Sequence, residues 1–451
     1  MSGIAELLAN LGYGVSGSDE KRSAVTERLA ALGIRVTYGH HPGNVGDADV
    51  VVTSSAVRET NSEIREAVER QIPVIPRAEM LAELMRLRYA IAVAGSHGKT
   101  TTTSMIAFVL ERAGLDPTAV IGGRVSAFGS NARLGRGEYM VAEADESDRS
   151  FLKLFPTIAV MTNIDHEHLE NYGGFGDLQQ AFVDFANKVP FYGAVVACAD
   201  DPPLAAVLPR LTRRVTTYGL TSAAADFTAS DIVTKAMGIT ANVKRRARRA
   251  DHLAGSPVTL GRLTLQVPGR HNLENALAAV AVAAELGLTF EQTAAGLALF
   301  RGAERRFEVR GEPNGILVVD DYGHHPTEIA AVLAAARTFG RRIVVAFQPH
   351  RFTRTAALMD SFGTALSVAD HIVLTDIYAA GEDRIPGVTV DALADAIRRG
   401  VTAPVQVVPA LDDVVPAIVR IARSGDLVLT LGAGSIGTLP ERLIAAFKGQ
   451  P

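Results

Sequence analysis

The chain of 451 residues has a single cysteine and no tryptophan. One thiol closes no disulfide within the chain and builds no cysteine-based metal site. Cys198, in the apolar run VVACAD, reads instead as a small buried strand residue. Long apolar runs are also missing. The most apolar stretch, Ala276 to Leu288, is broken by Glu285 and falls short of the ~18 uninterrupted residues a membrane span needs. No basic segment precedes an apolar one in the opening MSGIAELLANLGYG, so no signal peptide is expected and the chain is expected to be cytoplasmic. The formal net charge is −4, which excludes the global positive field that drives non-specific binding to nucleic acid or anionic membranes. What remains is a well-mixed composition, 47% hydrophobic and 21% charged, with 41 Gly and 20 Pro, that can bury a large core. At roughly 150 residues per domain the length suggests about three domains.

Short β-branched runs alternate with longer Ala/Leu-rich helical patterns, the signature of βαβ units and parallel sheets. Strands are expected at Ala90 to Ala94, Tyr139 to Ala142, Ile158 to Thr162, Ile316 to Val319, Ile343 to Ala346, Ile372 to Leu374 and Leu427 to Leu431. The stretch from about Asp226 to Val267 alternates apolar and polar residues and is expected to form antiparallel strands inserted in an otherwise α/β domain. Boundaries fall near Leu87 to Tyr89, after a helix at Ala78 to Met85, and near Gly311 to Gly315, where EPNG reads as a turn. The expected segments are 1–88, 89–311 and 312–451. The basic run Lys244 to Arg249 (KRRARR) reads as a solvated hairpin loop.

The strongest chemical signal is YAIAVAGSHGKTTTT, Tyr89 to Thr103: an apolar strand, a Gly-rich turn, then Lys-Thr opening a helix. In a P-loop of this kind the backbone of Gly95, Ser96, His97, Gly98 and Thr101 would cradle phosphates, Lys99 would neutralise them and Thr100 would offer its hydroxyl to Mg²⁺. The turn is shorter than the general GxxxxGK[ST] pattern, whose first glycine would fall at Val93. VAEADESD places Glu143, Asp145, Glu146 and Asp148 after a strand, where ligands of α/β sheets collect. TNIDHEHLENY brings His166 and His168 among carboxylates, and either lies in reach of a metal. Asn272 and Asn275 stand three apart at the head of an Ala-rich helix, and Asn272 suits a cap as well as a ligand contact. In Arg305-Arg306-Phe307, Arg306 could reach phosphate oxygens. DDYGHHP and QPHRFTRT put polar clusters at two strand ends, with Arg351 and Arg354 placed to hold a carboxylate. GAGSIG, Gly432 to Gly437, matches GxGxxG but lacks the acidic residue roughly 20 positions on that a dinucleotide fold needs, so it reads as a close strand-to-helix turn.

Together with SGIAELLANLGYGVSGSD, RAEMLAELMR, EADESDRSFL, NKVPFYG and PGRHNLENA, these motifs resemble the Mur ligases, ATP-dependent amide-forming enzymes of bacterial peptidoglycan precursor synthesis. The likeness runs along almost the entire chain and is closest to the branch that adds L-alanine. It implies a three-domain α/β architecture: a Rossmann-like N-terminal domain incomplete at its start, a central P-loop ATPase-like domain with a parallel sheet plus a small antiparallel sheet, and a Rossmann-like C-terminal domain. It implies that ATP phosphorylates the lactyl carboxylate of UDP-N-acetylmuramate and that the amine of L-alanine attacks the acyl phosphate. By the same resemblance Lys99 stabilises the transferring phosphate, Thr100 and Glu143 bind Mg²⁺, and His168 helps hold a second Mg²⁺. His271, Asn272 and Asn275 contact the nucleotide, and Arg306 and Asp321 act on ATP from the domain junction. His324, His325, Arg351 and Arg354 position the amino acid and the acyl intermediate, and domain closure matters as much as any single group. Neither nucleic acid nor membrane insertion is implied, and the protein would be a monomer or homodimer. The alternatives are a murein peptide ligase recycling tripeptide and a nucleotide-binding protein of impaired catalysis.

The family begins with a strand and a GIGGAGM-type loop that holds the UDP diphosphate, and Met1 stands where that loop would end. Asp19, in VSGSD, still occupies the place of a ribose-side acid. The expectation is that the chain as written binds ATP but binds UDP-N-acetylmuramate poorly, through a start assigned too far downstream or a lost part of the UDP site.

Overall fold

The structure, a computed structural model, describes residues 1–54, 57–125, 130–247 and 257–449. Arg248 and Arg249 of the basic run lie outside the described residues. The chain divides into two compact units, one of Met1–Ala229, Val243–Gly261 and Asn275–Leu297, the other of Ser230–Asn242, Arg262–Glu274 and Ala298–Pro451. Among the described residues no helix is long and apolar enough to cross a membrane.

In the first unit the strand Tyr89–Ala94 runs parallel to Tyr139–Glu143 on one side and to Ile158–Met161 on the other. Ala194–Cys198 and then Val215–Tyr218 extend the parallel array beyond Ile158–Met161. Tyr89–Ala94, Ile158–Met161 and Ala194–Cys198 are near-continuous apolar runs because both faces of such a sheet are covered, whereas Val215–Tyr218 (VTTY) alternates between partly and fully buried residues. Cys198 is buried among them, as its apolar flanks suggested. Thr118–Val125 lies parallel to Tyr139–Glu143, and Ser130–Arg133 closes that edge antiparallel. Phe227–Lys235, Gly238–Arg245 and Val258–Leu265 are further strands, of which Ser230–Asn242 and the residues from Arg262 on belong to the second unit; Phe227 pairs in parallel with Tyr218. The expected period-two burial holds in Gly238–Arg245, where Ile239, Ala241 and Val243 are buried while the residues between them are not, and not in Phe227–Lys235, where only Phe227 is buried. Among the described residues up to 86 there are two short parallel pairs, Ser16–Asp19 with Arg35–Tyr38 and Val51–Thr53 with Val74–Pro76, and the α-helices Ser2–Asn10, Ala24–Ala31, Ser62–Glu69 and Arg77–Arg86.

The second unit holds a six-stranded sheet in the order Glu308–Gly311, Leu317–Asp321, Leu427–Leu431, Ile343–Phe347, His371–Leu374, Val405–Val407. All neighbours are parallel except the first pair. Side-chain alternation sorts the core into two layers. Val319, Val345, Phe347, Leu427 and Leu429 pack on one face, and Val318, Val344, Ala346 and Val428 on the other. Just before this sheet's first parallel strand, the expected turn at EPNG is a single 3₁₀ turn, Pro313–Gly315, with Asn314 and Gly315 left-handed. The loops after the parallel strands therefore gather at one edge, the carboxyl end, where α/β sheets bind ligands.

Leu429 is fully buried in the larger of these layers. Leu429→Ala is expected to cost about 2–5 kcal/mol, because the neighbouring strands cannot close the cavity. The check is a lower thermal midpoint; an unchanged one would contradict the double-sided burial.

Candidate active site

The turn after Tyr89–Ala94 is held tightly by the neighbouring strand's end. Gly95 has φ +142°, and a Cβ there would lie 2.0 Å from Thr162 Oγ1. The Thr162 hydroxyl donates to the His97 carbonyl at 2.6 Å, Asn163 Oδ1 accepts from the His97 N–H at 2.8 Å, and Ser96 Oγ accepts from the Asp165 N–H at 2.8 Å. Gly98 is left-handed, and its missing Cβ leaves room for Asn275 Oδ1, which accepts from Thr102 Oγ1 at 3.1 Å. The helix Lys99–Arg112 starts directly from this turn, so its unsatisfied N–H groups and dipole face the turn's concavity. Thr101 is buried in its first turn.

Lys99 Nζ donates to the Gly95 carbonyl at 2.5 Å and to Glu146 Oε1 at 3.0 Å, and lies 2.8 Å from Glu146 Oε2. Burial opposes a charged ammonium here, but Glu146, Asp145 and Glu143 outweigh it and hold the amine above its ordinary pKa. Burial pushes the Glu146 carboxyl up to about 7 against the pull of Lys99. Asp145 is drawn down, since Lys99 and the Ser147 hydrogen bonds exceed its own burial cost. Glu143 Oε2 accepts from Thr100 Oγ1 at 3.0 Å and from the Gly122 N–H at 2.9 Å.

The structure separates the two histidines that the sequence left equivalent. His166 stacks on Phe175 with ring centroids 3.8 Å apart and planes 6° from parallel. His168, left-handed at φ +58°, places Nε2 3.8 Å from Glu167 Oε1 and Nδ1 3.7 Å from Glu170 Oε1. His97 Nε2 lies 2.9 Å from Asp165 Oδ2. Near the N-terminus Asp19 is exposed and accepts from the Lys21 N–H, while its neighbour Ser18 donates to Glu63 Oε2 at 2.7 Å. Glu63 also accepts from Asn44 Nδ2 and the His41 N–H, and these bonds keep its carboxyl below the ordinary range despite partial burial.

In the second unit the remaining sequence-derived residues collect at the carboxyl ends of the parallel strands or beside them. Asp321 accepts from the Gly323 and Phe307 N–H groups, both at 2.7 Å, and burial raises its carboxyl to about 6 against the pull of Arg306. Arg306 Nη1 is 3.6 Å from Glu328 Oε1. His271 is partly buried, and desolvation, then Arg306, lowers its imidazole to about 4. Asn272 lies inside the first turn of the helix Arg270–Glu285 and donates from Nδ2 to the Pro268 carbonyl at 2.6 Å, which is not the N-cap bond its position suggested, since a cap accepts from a backbone N–H. His324 Nδ1 is 3.1 Å from the Tyr322 carbonyl, and its ring lies 5.4 Å from that of His350. His325 caps the helix Pro326–Arg337, its Nδ1 accepting from the Thr327 N–H. Arg354 Nη1 is 3.1 Å from His350 Nδ1, and His350 stacks on Tyr378 at 5.6 Å. Arg351, left-handed at φ +68°, donates its N–H to the Tyr378 carbonyl and sits 3.9 Å from Glu382 Oε1.

Sequence reasoning passed over Thr162, Asn163, Glu63, Tyr378 and Glu382 and gave Glu146 no role of its own. Glu146 stood in a row of four acids with nothing to say which turns inward; Thr162 meets Gly95 only because their strands are parallel neighbours.

The chain matches the Mur ligase family catalytic domain over residues 1–89, the Mur ligase middle domain over 93–283 and the Mur ligase glutamate ligase domain over 305–434. It is 54% identical over 452 aligned positions to UDP-N-acetylmuramate–L-alanine ligase of Geotalea daltonii, covering 100% of this chain and 96% of that one. The chain belongs to the Mur ligase family. Among solved structures, this Mur ligase is similar to UDP-N-acetylmuramate–alanine ligase of Thermotoga maritima, at 28% identity and a TM-score of 0.82, covering 99% and 96% of the two chains. It is also similar to a murein peptide ligase of Psychrobacter arcticus, at 25% identity and a TM-score of 0.70, covering 100% and 97%. The three matched segments carry the three-domain α/β architecture of the family.

Asp321 and His271 pull stability in opposite directions with pH. The raised Asp321 carboxyl stabilises below about 4 and loses that contribution as pH rises through about 6. The lowered His271 stabilises above its ordinary 6.5 and loses that contribution as pH falls through about 4. The Tm of the unaltered protein minus that of Asp321→Asn is expected to shrink as pH rises from 4 to 6. A difference constant across that window would contradict the buried, raised carboxyl.

Proposed function

We propose that this Mur ligase joins L-alanine to the lactyl carboxylate of UDP-N-acetylmuramate, with ATP cleaved to ADP and phosphate, in peptidoglycan precursor synthesis. The observation that carries the reading is the 54% identity to an L-alanine-adding ligase along the whole chain. The geometry is the support for the roles that follow. ATP phosphates lie against the N-terminus of Lys99–Arg112, within the turn Gly95–Gly98, and Lys99 turns from Glu146 to the γ-phosphate. The sugar's carboxylate attacks that phosphorus and ADP departs, giving the acyl phosphate. The amine of L-alanine then attacks the acyl carbon: an amide C–N bond forms, the bond between that carbon and the bridging phosphate oxygen breaks, and phosphate leaves with that oxygen as the amine gives up its proton to the released phosphate or to solvent. Asn275 and His271, with Asn272, contact the nucleotide; Arg306 and Asp321 act at the transferring phosphate. His324, His325, Arg351 and Arg354 orient the amino acid and the acyl intermediate, and Asp19 serves the uridine nucleotide. Such catalysis is mostly positioning and charge stabilisation.

The hydroxyl of Thr100 and the carboxylate of Glu143 form a hard-oxygen set that fits Mg²⁺. Bound there, the ion would neutralise phosphate charge during transfer. For a second ion, His168 is our candidate over His166, whose ring face is taken by Phe175; the carboxylates of Glu167 and Glu170 beside His168 suit magnesium better than the imidazole does. We take 1–88, 89–311 and 312–451 as working domain limits and read the enzyme as acting in the cytoplasm, where ATP is available.

Phosphate release from Mg-ATP is expected only with both UDP-N-acetylmuramate and L-alanine present. Lys99→Met should reduce kcat about 10²–10³-fold, the scale for removing one preorganised charge donor. Faster turnover with tripeptide than with L-alanine would assign the chain to murein recycling, and nucleotide binding without turnover would contradict the ligase reading altogether.

A further inference from the structure

Arg306 is flanked by two residues in a backbone region that non-glycine residues rarely occupy, Arg305 at φ +56° and Phe307 at φ +49°. Such a conformation persists only where its surroundings over-determine it. Here every neighbour is tied down. The Arg305 N–H donates to Glu308 Oε2 at 2.9 Å, the Arg305 carbonyl accepts from the Tyr322 N–H at 2.7 Å, and the Phe307 N–H donates to Asp321 at 2.7 Å.

The Arg305 side chain completes the clamp. Its Nε donates to Asp320 Oδ2 at 2.8 Å and its Nη2 to the Gly432 carbonyl at 2.7 Å. Asp320 is only 1% exposed, and its other oxygen accepts from Thr430 Oγ1 at 2.6 Å. The guanidinium therefore bridges the ends of two parallel strands, Leu317–Asp321 and Leu427–Leu431. It also explains the glycine pattern that mimics a dinucleotide motif. A Cβ on Gly437 would lie 2.5 Å from Arg305 Cζ, one on Gly434 2.6 Å from the Tyr378 ring, and one on Gly432 2.6 Å from the Gln348 carbonyl. Each glycine is small because protein, not cofactor, presses against it.

We infer that Arg305 is a positioning residue that holds Arg306 for phosphoryl transfer, and that the turn Gly432–Gly437 is the seat of its guanidinium. Arg305 is not itself the phosphate ligand, since its head group is committed to Asp320 and Gly432. The inference rests on Arg306 acting at the phosphate, and the test keeps the two apart.

The experiment measures kcat and KM for Arg305→Met, Arg306→Met and the double variant. Displacing a catalytic group by about 1 Å lowers turnover on the order of 10²-fold, and that loss is expected in each single variant with KM for UDP-N-acetylmuramate unchanged. The double variant should be no slower than Arg306→Met, because Arg305 acts only through its neighbour. Full activity in Arg305→Met beside a slow Arg306→Met, or losses that multiply in the double variant, would overturn the inference alone. Full activity in Arg306→Met would remove the role Arg305 serves and overturn both. Should Arg305→Met fail to fold, Gly437→Ala crowds the same guanidinium without deleting it, and the same comparison with Arg306→Met applies.

Discussion

The ammonium of Lys99 is mostly withdrawn from water, its side chain 14% exposed, and that constraint organises the nucleotide half of the molecule. A buried cation is tolerated only where carboxylates and carbonyls replace its hydration shell. The turn carbonyls of Gly95 and Ser96 and the carboxylate of Glu146 do so. They can converge on one atom because three adjacent parallel strands end side by side, delivering the turn from one, Glu143 to Glu146 from the second, and Thr162 with Asn163 from the third. The resting arrangement is thus an anion site with a protein carboxylate standing where phosphate oxygens would compete for the same cation.

The second unit solves a related problem with opposite charge. Asp320 and Asp321 end the same strand, and neither carboxylate is left to water. Asp320 takes the Arg305 guanidinium, whereas Asp321 takes two backbone N–H groups. Between the residues so anchored, Arg306 projects from a backbone it could not hold alone. The loops that carry His324, His350 and Arg351 are fixed by the same kind of end-of-strand bonding, through Tyr322, Tyr378 and Glu382.

Much of this was legible in the residues because it is local. The apolar strand, the Gly-rich turn and the Lys-Thr helix start lie within fifteen consecutive residues, and the burial of Cys198 follows from its flanks. Alternation in the region around Gly238–Arg245 marked its strands, although nothing in a period-two pattern says which sheet they join. What could not be read was long-range. Thr162 lies 67 positions from Gly95, and Glu63 lies 45 from Ser18, so only the fold brings each pair together. The left-handed backbone at Arg305 and Phe307 left no trace either, since residues that favour that region, glycine and asparagine, are absent there. Of the acids in VAEADESD, burial rather than spacing decides that Glu146 faces Lys99.

The central claim is that Lys99 exchanges Glu146 for phosphate when nucleotide binds. Calorimetric titration of ATP into Glu146→Gln, beside the unaltered protein, tests it most directly. If the carboxylate competes for the ammonium, the variant binds ATP at least as tightly as the unaltered chain does. Binding weakened by about tenfold, equivalent to 1.4 kcal/mol, would instead make Glu146 part of the nucleotide-holding set and contradict the exchange.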